Sequence, residues 1–200
     1  CTRFVSTTFL VISVFRNSGQ EFLSYEVDEE QKKDEAAAFL ELGRALGRSP
    51  KDVRRAYKLA KKAQAAHYKA RVQKYEQQYR RSGLKVLIAA HSYVIEDPYM
   101  GRPVTDYLKR VGVIPLRADM VDRDGALKHS RELSSTCKWE ISREILGGIA
   151  MHRGDVDGVI LLSAFPCGPD AMVNELIARR VKGVPLLNLV LDSQSGRSGV

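Results

Sequence analysis

From Leu84 onward the chain alternates short apolar runs with helical patterns, and that alternation constrains its fold more than any other feature. Val86-Leu87-Ile88-Ala89-Ala90, Val113-Ile114-Pro115-Leu116, Val156 to Leu162 and Pro185 to Leu191 read as strands. Pro103 to Val111, Trp139 to His152 and Gly168 to Val181 read as the helices between them. A strand apolar on both faces must be covered on both faces. Strands separated by helices therefore predict a parallel sheet with helices on both sides. The expected fold class is α/β over residues 84–200, flavodoxin-like or Rossmann-like, preceded by a segment 1–83 made of a strand and helices.

In such a sheet the ligand-bearing loops follow the carboxyl ends of the strands. Here they are His91 to Tyr99, Arg117 to Lys138, Ala164 to Asp170 and Asp192 to Gly199, and they hold the chemically unusual residues. Cys167, in Ala164-Phe165-Pro166-Cys167-Gly168-Pro169-Asp170, stands between a strand and a helix. Unpaired N–H groups and the positive end of the helix dipole favour a thiolate there, the form that attacks electrophiles or binds metal. Pro169 suits the first helical turn. The plainer reading of a single cysteine is a buried apolar side chain. Cys137, in Ser134-Ser135-Thr136-Cys137-Lys138-Trp139-Glu140, also precedes a helix. The parallel sheet would let both thiols point into one cleft, with Cys1 a third. Zinc normally takes four ligands in closely spaced pairs, and no C-x-x-C occurs here. Three thiolates from separate loops suit an iron–sulfur cluster better; the alternative is three unrelated cysteines.

His91 and Tyr93 lie in the first loop. His91 reads as an acid–base group, a phosphate donor or a ligand, or as a strand-end histidine bonded to backbone. Neither G-x-G-x-x-G nor G-x-x-x-x-G-K-S/T occurs, and Ser163 lacks the G-x-S-x-G setting of a hydrolase nucleophile.

Before Leu84, residues 3–15 read as a strand or buried segment. Asp28 to Leu46 reads as a helix with an acidic start, ended by Gly47. Ser49 then offers an N-cap and Pro50 a first helical position for a helix to about Arg81, stopped by Ser82-Gly83. Val53, Ala56, Tyr57, Ala60, Ala63, His67, Ala70, Tyr75 and Tyr79 give that helix a small-and-aromatic face. Its charge is extreme. Residues 51–81 hold eleven Lys and Arg against Asp52 and Glu76, while the whole 200-residue chain carries +8. A solvated basic face explains this better than nucleic-acid binding, since no recognition motif accompanies it.

No apolar stretch reaches the ~18 residues of a membrane span, and Phe9 to Phe15 lacks the flanks of a signal peptide. Three widely spaced cysteines make a poor disulfide framework and fit a reducing, cytoplasmic setting. The chain opens on Cys1 and closes on Val200 after a Ser/Gly-rich turn, which reads as a piece of a longer protein.

Lys85-Val86-Leu87-Ile88-Ala89-Ala90-His91-Ser92-Tyr93 with Asp97-Pro98, Thr136-Cys137-Lys138-Trp139-Glu140 and Phe165-Pro166-Cys167-Gly168-Pro169-Asp170 together resemble proteins related to 2-hydroxyacyl-CoA dehydratases. The likeness is greatest to the CoA-substrate-specific enzyme activase-related branch, over 84–200 more than 1–83. It implies a [4Fe-4S] cluster held by cysteines, with Cys137, Cys167 and Cys1 the candidate ligands. It implies one-electron chemistry on an acyl-CoA, with His91 and Tyr93 as catalytic candidates and Gly168, Asp170 and Lys138 as binding candidates. The protein partner it implies is an ATP-dependent activase or a second subunit. The Gly-rich phosphate loops of the ATPase itself are absent from this chain. Three functions are therefore weighed: an iron–sulfur protein acting on or binding an acyl-CoA, a non-catalytic module holding a CoA-like anion or a partner, and a nucleic-acid binder.

Overall fold

The computed structural model describes residues 2–25, 27 and 34–192. The chain forms two compact units, Cys1–His67 and Tyr68–Val200.

The first unit is helical. Helix α1 spans Thr2–Val14, where a strand or buried segment was expected. A solitary strand leaves its backbone groups unpaired, whereas a helix pairs them internally. Phe9, Leu10 and Val14 on it and Phe15 just after it are exposed, so residues 6–15 are not core. Helix α2 is Glu35–Ala45, and Asp34 caps it by accepting from the Ala37 N–H at 2.6 Å. The acidic start expected for this helix, Asp28-Glu29-Glu30, lies outside the described residues. Gly47 follows at φ +65°, a left-handed stop that glycine adopts without strain. Helix α3 runs Pro50–Tyr79, and Ser49 Oγ accepts from the Asp52 N–H at 3.2 Å as its cap. Residues 58–70 of α3 are exposed all round, so the expected small-and-aromatic face is covered only near its two ends.

The second unit is the α/β fold. Strands β1 (Lys85–Ala89), β2 (Ile114–Arg117), β3 (Gly158–Ala164) and β4 (Leu186–Leu191) form one sheet in the order β2-β1-β3-β4. Every pairing is parallel, as the unbroken apolar runs required. Helices α4 (Ser92–Glu96) and α5 (Gly101–Arg110) connect β1 to β2. A 3₁₀ turn (Ala118–Met120), α6 (Arg123–Leu133) and α7 (Glu140–His152) connect β2 to β3, and α8 (Gly168–Arg180) connects β3 to β4. Alternate strand residues serve opposite faces. Leu87, Leu116, Val159 and Leu161 pack with Ile145, Leu146 and Ile149 of α7 and Ile177 of α8. Ile88, Ile160 and Leu162 pack with Val94, Val104 and Leu108 from α4 and α5. Each such side chain, fully buried, is worth about 1.5–3 kcal/mol against exposure.

Two connections differ from the sequence reading. The loop expected at 117–138 contains the 3₁₀ turn and α6, and the loop expected at 91–99 contains α4. Helix α6 carries Arg and Asp at its start and only three buried side chains, so its apolar periodicity is faint. It is held by close approach: a Cβ on Gly147 of α7 would stand 1.7 Å from the Ala126 carbonyl oxygen. Residues 68–79 of α3 belong to this unit. Tyr75 is buried, with its ring 5.0 Å from His152 at the end of α7.

Candidate functional site

The chain leaves β1 in one direction, to β2, and later enters β3 on the other side of β1. The connections therefore diverge between β1 and β3, and the crevice outside their carboxyl ends is where open α/β sheets take ligands. His91 and Tyr93 follow β1 at that edge; Cys167, Gly168 and Asp170 follow β3.

Asp170 occupies the first turn of α8 and is buried. Its Oδ1 lies 3.2 Å from His91 Nε2, with both side chains nearly covered. The two atoms are at ion-pair distance but out of line for a hydrogen bond, so Nε2 is a buried polar atom with no hydrogen-bond partner. The other ring nitrogen, Nδ1, is 3.0 Å from the Tyr93 hydroxyl, and the two rings meet edge to face at 5.2 Å. A proton on Nε2 suits the neighbouring carboxylate, and Nδ1 then accepts from the Tyr93 O–H. Burial, with the charges of Asp170 and then Cys167, pushes the Tyr93 phenol up to about 12. Tyr93 is thus a protonated donor at any ordinary pH, and Cys167 is near enough to act on it.

Cys167 is the N-cap residue of α8, Gly168 its first helical residue and Pro169 its second, as the sequence anticipated. A Cβ on Gly168 would meet no atom within 4 Å, so the space in front of this backbone is open. Deeper between β3 and β4, Asn174 Nδ2 donates to Ser163 Oγ at 3.4 Å and to Asn188 Oδ1 at 3.2 Å. That network satisfies the buried polar groups beneath the crevice and fixes α8 on the sheet.

Cys137 and Lys138 line a different feature, an open groove of about 360 Å³ with Trp139 on one wall and Met172, Val173 and Leu176 of α8 on the other. The Cys137 N–H donates to Ser134 Oγ at 3.1 Å. Cys137 and Cys167 are both half-buried thiols outside any disulfide. Cys1 lies outside the described residues. Among the described residues no three His, Cys, Asp or Glu side chains gather where they could hold a metal. Of the three candidate cluster ligands, Cys137 and Cys167 fall among the described residues, and of these two Cys137 lines this groove.

Sequence reasoning placed His91, Tyr93, Asp170 and Cys167 at one edge but did not find the His91–Asp170 pair, because nothing in either loop fixes that register. It also missed the ion-pair network beside β2. Asp119, 6% exposed in its side chain, is held by Arg117 and by Arg71 of α3. Arg71 had counted as one more solvated cation.

A family model described as CoA enzyme activase uncharacterised domain (DUF2229) matches residues 1–121. The chain belongs to this family. The matched stretch takes in His91 and Tyr93 and stops before Cys137 and Cys167, whereas the motif resemblance was strongest over 84–200. No curated protein and no solved structure matches the chain. No helix among the described residues is long and apolar enough to cross a membrane.

Proposed function

We propose that the α/β unit is a CoA-ester-binding module, and that the crevice between the ends of β1 and β3 receives the acyl-thioester end of its ligand. The carrying observation is the buried His91 Nε2, left without a hydrogen bond beside a buried carboxylate at the switch point of the sheet. A buried polar atom of this kind, at the position where such folds bind ligands, marks a place for a ligand group.

The chemistry favours a neutral group over a phosphate. Asp170 sets a negative charge in the first turn of α8, which cancels much of the attraction a helix start has for an anion. The Gly168 N–H at the start of α8 remains as a donor, and the side of Gly168 where a Cβ would stand is open. A thioester carbonyl is a neutral acceptor that suits this donor. Tyr93, kept protonated, donates its one O–H proton to His91 Nδ1, which leaves its hydroxyl oxygen as an acceptor for an N–H of the ligand's arm. Cys167 lies beside the same space. Membership of a CoA enzyme activase-related family supports the choice of ligand class.

Titration of the full chain with acetyl-CoA, by calorimetry, tests the reading. Saturable binding that weakens in Cys167→Ala supports it, and the absence of binding overturns it. Iron and acid-labile sulfide are measured beside it on protein reconstituted without oxygen. About four irons per chain, lost in Cys137→Ala or Cys167→Ala, would replace this reading with the iron–sulfur one.

A further inference from the structure

We infer that a second groove, beside β2, binds the phosphorylated nucleotide end of the same ligand, a nucleoside 3′,5′-bisphosphate group. This rests on the CoA-ester reading and adds a second subsite to it.

The groove has about 420 Å³ of space, within the usual range for small-molecule sites. Its floor is apolar: Ile95 from the end of α4, Pro115 from β2 and Met120 from the 3₁₀ turn. A planar purine suits that surface. Its walls are charged, and the charges sort into two kinds. Arg117 is fully engaged: Nε and Nη2 donate to Asp119 at 2.9 and 2.7 Å, and Nη1 donates to Glu96 at 2.9 Å. Lys109 pairs with Asp106 at 3.2 Å, an exposed contact worth at most about 1 kcal/mol and readily exchanged. Lys74, from α3, and Arg102, at the start of α5, also line the groove and make no ion pair among the described residues. Glu96 and Asp106 also line the groove, each paired with a cation, so the net positive charge it presents over its apolar floor comes from two uncommitted cations, Lys74 and Arg102. Phosphate groups are the ligand class that cations in this arrangement recognise, Arg102 through its planar fork and Lys74 as a point charge.

Position ties the groove to the crevice. His91 immediately precedes α4, and Ile95 and Glu96 end it. A five-residue helix covers about 7 Å along its axis. The pantetheine arm of a CoA ester is longer than that. The carboxylate beside Gly168 disfavours phosphate at the crevice, and the groove supplies the positive charge that the crevice lacks.

The test uses the full chain and two probes. Adenosine 3′,5′-bisphosphate reports the groove alone, and S-acetylpantetheine, which has no nucleotide, reports the crevice alone. The bisphosphate should bind the wild type, weaken as salt rises, and weaken by about tenfold or more in Arg102→Glu and in Lys74→Glu. Lys58→Glu, on the exposed stretch of α3, should leave its binding unchanged, as should either groove variant for S-acetylpantetheine. Failure of the wild type to bind the bisphosphate, or equal binding in wild type and both groove variants, overturns the inference. Bisphosphate binding lost in those variants, in a protein that ignores S-acetylpantetheine, upholds the groove and removes the crevice reading instead.

Discussion

Gly147→Ala should destabilise the α/β unit by about 2 kcal/mol, although alanine is the better helix former. Gly147 lies in the interior of α7, where the exchange alone would favour the helix by about 1 kcal/mol. The added methyl would stand 1.7 Å from the Ala126 carbonyl oxygen and 2.3 Å from its carbonyl carbon. Both are backbone atoms of α6, so no rotamer change relieves the clash. A comfortable separation is about 3.5 Å, which requires α6 to move by roughly 1.5–2 Å. Overpacking of this kind costs about 1–3 kcal/mol and occasionally more. Because a helix backbone must shift, the upper end applies, and about 3 kcal/mol outweighs the propensity gain. Gly154→Ala is the matched control, since a Cβ there meets nothing within 4 Å. It should change stability by no more than about 0.5 kcal/mol. Urea unfolding followed by fluorescence of Trp139, the single tryptophan, measures both. A Gly147→Ala protein as stable as wild type or more so would refute the close approach of α6 and α7.

Three further outcomes follow from the charged and aromatic clusters. The Tyr93 phenol should titrate near 12, and Asp170→Asn should lower it while leaving it above an ordinary tyrosine, because burial is the larger cause; ring-carbon NMR of labelled tyrosine reads both values. His152, whose Nδ1 is buried without a partner, has its pKa lowered by burial, with Asp155 opposing. The unfolded chain therefore takes up this proton before the folded one does, so stability falls as pH drops below the unfolded value of about 6.5, and His152→Phe should flatten that slope in urea titrations between pH 7 and 5. Asp119→Asn leaves Arg71 and Arg117 facing each other half-buried and should cost about 3 kcal/mol, read as a lower urea midpoint.

The parallel sheet was legible because its strands are apolar on both faces and its helices are punctuated by caps. Ser49-Pro50, Gly47 and Cys167-Gly168-Pro169 all stand where their local chemistry put them. Residues 3–15 misled because β-branched and aromatic residues suit a strand only when a sheet receives them, and no strand partner adjoins this segment among the described residues. Helix α6 was hidden because its packing rests on glycine contacts in its neighbour rather than on its own apolar stripe. At the site, loop order was enough to bring His91 and Cys167 to one edge. The His91–Asp170 distance depends on how β1 and β3 pair, with Val86 against Gly158, and neither strand alone encodes that register.

The most direct test of the crevice is the binding of S-acetylpantetheine to the wild type and to Gly168→Leu. Space in front of Gly168 should let leucine be accommodated without unfolding, while its side chain fills the place assigned to the thioester. The account predicts a folded variant with an unchanged urea midpoint that no longer binds the probe. Equal binding by the folded variant, or no binding by the wild type, would contradict it.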